Sequence, residues 1–287
     1  MPTLAETSKL ETALLNNRNE ILHNNTVFPF SYREALERGT FISGMPKSGK
    51  TNLGKIIATQ LLHCGYTVRC FDSSQAWLQS DIPYYVNINS FMDLGKADIP
   101  LEQSCVFDVS ALLPEEQAVF TGEILDRDFE VARTEGLPNW TIYIIEEAQL
   151  VIPSGSLRSK YAQTTFRMVS VGRNFKQRFI MLTQRPADID VKALSRVGQA
   201  YIGQHWEEND IRKLSRLLGY KFEECRRALS SLQLGEFVYF SPYTKVKEIV
   251  KTPAFVQSRT PVEWCSMVKP KKRYYPWQLE WWLKQPT

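Results

Sequence analysis

"FISGMPKSGKTNLGK", residues 41–55, decides how the rest of the chain is read. Apolar residues run into Gly44, four residues separate it from Gly49, and Lys50 and Thr51 follow at once. Gly44-Met45-Pro46-Lys47-Ser48-Gly49-Lys50-Thr51 satisfies G-x-x-x-x-G-K-[ST] in full. Glycines let backbone N–H groups turn inward around an oxyanion, and a helix starting there adds the positive end of its dipole. Lys50 is placed to neutralise nucleotide phosphates, and the Thr51 hydroxyl to ligate Mg²⁺. Asn52 completes the stretch expected to bind ATP. The alternative is an ordinary glycine turn. Such a string arises by chance in roughly 1 in 100 chains of this length, and the strand–loop–helix context weighs further against chance.

Working outward, apolar runs alternate with helical patterns. Residues 40–43 read as a short buried strand and 50–64 as a helix. Strands follow at 66–71, ending at Asp72, and at 104–110; Pro114 opens a long amphipathic helix to about Arg133. Further strands are expected at 140–147, 178–184 and 200–205, with a helix over 158–173. Apolar runs separated by helices predict an α/β fold with a mostly parallel sheet covered on both faces. Right-handed crossovers then bring the strand C-termini to one edge, where ligands bind. Residues 4–22 place leucines and isoleucines at roughly helical spacing, which predicts an N-terminal helical extension over 1–37. After about Pro242 the rhythm is lost.

The 287 residues, 43% of them apolar, suffice for one large domain with appendages. No apolar run approaches the ~20 residues needed to span a membrane, and the first residues have no signal-peptide pattern. Five cysteines without CxxC or metal spacing fit a reducing, cytoplasmic setting. The net charge of +4 is unevenly spread. Residues 242–287 carry nine Lys/Arg against three Asp/Glu, so the basic excess belongs to the C-terminal segment.

A phosphate loop binds but does not hydrolyse unless something positions water. "TIYIIEEAQ" delivers Glu146 and Glu147 to the same sheet edge. The first is expected to act around Mg²⁺ and the second to polarise the attacking water. Two acids ending a strand also suit a helix start; beside a complete phosphate loop the catalytic reading is preferred. Gln184, at the tip of "MLTQRP", would sit beside Glu147 if the two strands are neighbours, and could then sense the γ-phosphate. Its plain alternative is a strand exit before Pro186. Between them lie Arg167, Arg173, Lys176 and Arg178. A solvated face is the usual reading of such a charge run; the other is an arginine reaching a neighbouring subunit's nucleotide.

"SGMPKSGKT", "CVFDVSALLPEEQ", "IYIIEEAQ", "VGRNFKQRFIMLTQRPADID" and "LGEFVYF" occur in this order. With these segments the chain resembles the HerA/FtsK superfamily of ring-forming, DNA-pumping P-loop NTPases (RecA/ASCE-like) over residues 38–250. The resemblance implies that Lys50 and Thr51 bind ATP-Mg²⁺. It puts Glu146 in the Mg²⁺-associated position, Glu147 in that of the catalytic base and Gln184 in that of the polar sensor. Arg173 matches the arginine finger acting in trans, with Arg185 the weaker match. A hexameric ring threading double-stranded DNA follows, for genome packaging, DNA transfer or DNA processing. The family usually has Asp where Glu146 stands. About 40 residues precede the phosphate loop, which leaves no room for the family's small β-barrel domain, so a bare motor is expected.

The basic, aromatic-rich segment 251–287 interleaves Lys269, Lys271, Lys272 and Arg273 with Tyr274, Tyr275, Trp277, Trp281 and Trp282. Packing onto a motor domain is its first reading. Contact with DNA, or with a nuclease, capsid or transfer-complex protein, is the second. Residues 153–161 offer a further DNA-facing loop, with an ordinary surface loop preferred. Two rivals to the motor stand: a small-molecule kinase on the same fold, for which no arginine-bearing lid is legible, and a non-hydrolysing ATP-binding scaffold.

Overall fold

The computed structural model describes residues 20–264, apart from 25, 91, 92, 94, 96 and 156–159. The chain opens with a hairpin of β1 (Glu20–His23) and β2 (Thr26–Pro29). The helix expected to run to residue 22 is therefore corrected at its end, and residues 4–19 lie outside the described residues. The reason is local: Asn24 takes a left-handed conformation (φ 46°) at the turn, and Ile21 and Phe28 pair across it as buried partners. Helix α1 (Tyr32–Arg38) follows, capped by the Ser31 hydroxyl.

The main body then runs β3 (Thr40–Ser43), α2 (Lys50–His63), β4 (Thr67–Asp72), β5 (Tyr84–Asn87), β6 (Cys105–Asp108), α3 (Pro114–Glu135), β7 (Thr141–Ile145) and α4 (Lys160–Val171). It continues with β8 (Gln177–Thr183), α5 (Val191–Leu194), β9 (Gln199–Ile202), α6 (Glu208–Leu218), α7 (Phe222–Ser230), β10 (Glu236–Ser241), β11 (Val246–Lys251) and β12 (Val262–Glu263). Ten strands form one sheet in the order β11-β10-β9-β3-β8-β7-β4-β6-β5-β12. From β9 to β12 all pairings are parallel, as the alternating pattern predicts. β10 is antiparallel to both of its neighbours. The loss of rhythm expected after Pro242 is thus corrected: β11 is an exposed edge strand whose charged residues hide its pairing.

Central strands are buried on both faces, and successive residues feed opposite cores. Phe41, Phe107, Tyr143, Ile145, Phe179 and Met181 face the layer of α3, α4, α6 and α7. Ile42, Val106, Ile142, Ile144, Ile180 and Leu182 face α2 and the β1–β2 hairpin. One polar tie runs through the first core. Arg69 of β4 lies 2.9 Å from Asp128 of α3, and both are fully buried. Tyr143 of β7 donates to the same carboxylate (3.2 Å), and Gln177 of β8 donates to the Tyr143 hydroxyl (2.9 Å). Burial alone would lower the Arg69 pKa, but the Asp128 carboxylate more than offsets it and holds the guanidinium charged.

After β11 the chain crosses the sheet as a strap. Asn52 of α2 donates to the Pro253 carbonyl (2.8 Å) and accepts from the Phe255 N–H (2.6 Å). Asp81 accepts from the N–H groups of Ser258 and Arg259. β12 then joins the far edge beside β5, where Trp264 packs edge-on against Tyr84. The rest of the expected basic tail, residues 265–287, lies outside the described residues.

Candidate nucleotide site

β3 carries the chain to the sheet edge, and the Gly44 N–H donates to Thr183 O of β8 (3.3 Å) while the Met45 N–H donates to Gln204 O beyond β9 (2.9 Å). Residues 44–49 curl between these neighbours. Lys47 (φ 64°) and Gly49 (φ 101°) adopt left-handed conformations that turn the backbone inward. A Cβ on Gly44 would lie 2.4 Å from Ser48 Oγ and 3.0 Å from Ser48 Cβ, so any other residue there forces Ser48 to turn or shift. Helix α2 begins at Lys50 without a side-chain cap. The N–H groups of Lys47, Gly49, Lys50, Thr51 and Asn52 reach no acceptor among the described residues. Ser48 Oγ is buried without a partner.

Unpaired N–H donors around a helix N-terminus, with the buried Ser48 hydroxyl beside them, form a cradle that fits the phosphates of a nucleotide. The Lys50 side chain folds back onto the Met45 carbonyl (3.1 Å). Burial lowers its pKa, against the opposing pull of Glu147 and Glu146. Within this stretch the Met45 N–H is engaged by Gln204 and the Asn52 side-chain amide by the strap, while the Asn52 N–H stays free among the described residues.

Adjacent strands bring the acids to this loop. The Glu146 carboxylate accepts from Thr51 Oγ1 (2.9 Å) and from Ser74 Oγ (2.7 Å). Burial and the nearby Asp72 carboxylate push its pKa up to about 7. A hydroxyl and one carboxylate are the donor set that holds Mg²⁺ together with phosphate oxygens and waters, so Thr51 and Glu146 fit that ion. Among the described residues, no cluster of three His, Cys, Asp or Glu could hold a metal without a ligand's help.

Glu147 takes a left-handed conformation (φ 50°) immediately after the strand, which turns its side chain away from that of Glu146. β7 and β8 are neighbours, so the condition on Gln184 is met: its amide donates to Glu147 Oε1 (2.6 Å). Gln149 donates to Glu147 Oε2 (2.7 Å) and accepts from Thr183 Oγ1 (2.7 Å), and Thr183 Oγ1 in turn accepts from the Arg185 N–H (2.9 Å). A continuous chain of hydrogen bonds therefore fixes Glu147 to the tip of β8. Ser74, Asp72 and Gln149 were not singled out as site residues by sequence. The one visible signal was that polar residues follow the ends of β4 and β7.

Beneath the loop, Ser43 Oγ lies 2.6 Å from Nε2 of the buried His205. Burial, and then the Lys50 charge, lowers the His205 pKa to about 3.

The four cations from Arg167 to Arg178 separate clearly. Arg167 faces Glu130 and the Phe129 ring; Lys176 donates to the Leu137 and Pro138 carbonyls; Arg178 donates to those of Leu36 and Val169. Arg173 is exposed and makes no ion pair among the described residues. It precedes β8, whereas Gln184 follows that strand. Seven strand residues, about 23 Å, therefore separate Arg173 from its own phosphate loop. Arg185 is exposed on the same edge as the loop. No helix among the described residues is long and apolar enough to cross a membrane.

No protein-family model matches the chain. It is 28% identical over 135 residues to the "DNA double-strand break repair helicase HerA" of Saccharolobus solfataricus, covering 46% of this chain and 27% of that protein. It is 25% identical over 173 residues to the "Probable helicase MJ1565" of Methanocaldococcus jannaschii, covering 60% of this chain and 31% of that protein. The chain thus spans about three tenths of the length of these curated relatives. Among solved structures, the genome packaging NTPase B204 from Sulfolobus turreted icosahedral virus 2, in complex with sulfate, superposes with a TM-score of 0.57 at 16% identity. That match covers 76% of this chain and 98% of B204 and concerns the fold. With its phosphate loop, its largely parallel sheet and its likeness to two helicases, the chain resembles the HerA/FtsK-type P-loop ATPases.

Proposed function

We propose that this chain is the motor of an ATP-driven translocase for double-stranded DNA, working as a ring of copies, with a hexamer as the expected size. Residues 38–250 form the motor, the strap up to Trp264 packs on it, and the basic, aromatic segment beyond joins it to DNA or to a partner protein. The observation that carries the reading is Glu147, held between Gln184 and Gln149 beside a phosphate loop whose donors are free. A site that only binds nucleotide has no need of a carboxylate so fixed.

In this reading the loop N–H groups and Lys50 hold the phosphates, and Thr51 and Glu146 would hold Mg²⁺, which when bound would supply charge neutralisation there. Glu147 accepts the proton of the attacking water, Gln184 senses the terminal phosphate, and catalysis comes from positioning and electrostatics. Arg173, on the far edge of its own sheet, serves the nucleotide of the next copy. DNA as substrate is supported by the helicase relatives and by the packaging NTPase with the same fold. The test is displacement of a triplex-forming strand from linear double-stranded DNA. ATP-dependent displacement that weakens as salt rises is expected. ATP turnover with no displacement and no response to DNA would refute the motor.

A further inference from the structure

The phosphate loop has two unlike flanks, and this inference rests on its reading as a nucleotide site. Glu146, Glu147, Ser74 and Gln184 make the β7–β8 flank polar. On the other flank, the pairings Ile202↔Val238 and Glu236↔Lys251 bring three segments to the same edge. These are the residues after β9, before β10 and after β11. Two of them are fastened to the loop: the Gly235 N–H donates to Ser48 O (3.0 Å), and Gln204 O accepts from the Met45 N–H (2.9 Å). Leu234 and Trp206, one and two residues from those bonds, are 71% and 63% exposed. They are large apolar side chains fixed beside a polar, charge-binding loop.

A nucleotide held by this loop sends its terminal phosphate toward Glu147 and must lay its base, a flat apolar ring, on the other side. Among the described residues, Leu234 and Trp206 are the large exposed apolar side chains next to the bonds that fasten this flank to the loop. Of the polar side chains there, three are turned to the backbone, and those of the exposed Glu207 and Gln233 are held toward a base by no hydrogen bond among the described residues. Asn52 is bound to Pro253 and Phe255, Gln204 donates to Ser230 O (3.3 Å), and Thr252 Oγ1 donates to Gly235 O (3.2 Å). We infer that Trp206 and Leu234 form a nucleobase shelf that holds a purine by stacking and contact without reading its identity. The ligand class is purine nucleoside triphosphate rather than ATP alone.

Competition binding of ATP, GTP and inorganic tripolyphosphate to the full chain tests this, with wild type, Trp206→Ala, Leu234→Ala and Trp206→Phe. ATP and GTP are expected to bind wild type within about tenfold of each other, since stacking tolerates any base. Trp206→Ala should weaken both by about five- to a hundredfold, the range for losing a base–aromatic stack. Leu234→Ala should weaken them in the same direction, and Trp206→Phe should restore most of the affinity. Tripolyphosphate, which has no base, should bind all four proteins alike. Three results overturn the shelf: unchanged ATP affinity in both alanine variants, an equal loss for tripolyphosphate, or a preference for ATP over GTP above about a hundredfold. A wild type that binds neither nucleotide nor tripolyphosphate would instead sink the nucleotide site itself, and the shelf with it.

Discussion

Asp128→Asn is expected to destabilise the fold severely, for a reason specific to Arg69. Both side chains are buried, at 0% and 1% exposure, and Arg69 Nη1 stands 2.9 Å from Asp128 Oδ2. That contact is an ion pair without hydrogen-bond alignment, since the guanidinium nitrogens of Arg69 are buried and lack a partner of that geometry. The charge of Asp128 is thus the main offset to burying Arg69. Asparagine keeps the shape but only one acceptor oxygen, so it can accept from Tyr143 or Arg127 but not both, and it leaves a cation uncompensated in the core. Breaking such a pair costs about 3–5 kcal/mol. With about 2 °C of Tm per kcal/mol for a chain of this size, the midpoint should fall by about 6–10 °C. Replacing both partners with apolar residues, Arg69→Met with Asp128→Leu, should recover part of that loss, short of wild type because Tyr143 and Arg127 then lose their acceptor. Urea unfolding of the wild type, each single variant and the pair gives the coupling. An Asp128→Asn cost below about 1 kcal/mol, or a double variant no better than the sum of the singles, would refute the reasoning.

Two further outcomes follow from the loop and its support. Gly44→Ala should weaken nucleotide binding while leaving the fold intact, because the new Cβ meets Ser48 Oγ at 2.4 Å and Ser48 must turn or shift; equilibrium binding alongside circular dichroism checks it, and unimpaired binding would contradict the geometry. His205 has a folded-state pKa lowered to about 3, below its unfolded value, so its contribution is fully present above about pH 6.5 and is lost as pH falls toward 3. At pH 5 the wild type should have lost about 2 kcal/mol that a His205→Gln variant does not lose; parallel urea melts at pH 7 and pH 5 would show it, and equal losses in both proteins would exclude it.

What the sequence could reveal depended on whether the signal was contiguous. Gly44–Thr51 is one unbroken string whose chemistry is local, and the buried strands that end at Ser43, Ile145 and Thr183 are apolar runs too marked to miss. Gln149 and Ser74 are ordinary polar residues by sequence, and only the neighbouring strand tips make them partners of Glu147 and Glu146. The four cations from Arg167 to Arg178 look alike in a row; packing ties three to carboxylate or carbonyl oxygens and leaves Arg173 exposed. The β1–β2 hairpin was misread because leucines upstream carry a helical spacing into Ile21, while the turn at Asn24 decides the local structure. β5, at four residues, and β11, with four of its six residues exposed, gave too little apolar pattern to stand out.

The most direct test of the central claim compares Glu147→Gln with wild type in steady-state ATP hydrolysis, with ATP binding measured on the same samples. Glutamine keeps the size and can accept from Gln184 or Gln149, though not from both, and it cannot take a proton from water. The account predicts ATP affinity within a few-fold of wild type and hydrolysis slower by about 10²–10⁴, the usual contribution of a general base. A variant that binds ATP and hydrolyses it at the wild-type rate would contradict the assignment of Glu147 and the hydrolytic site built around it.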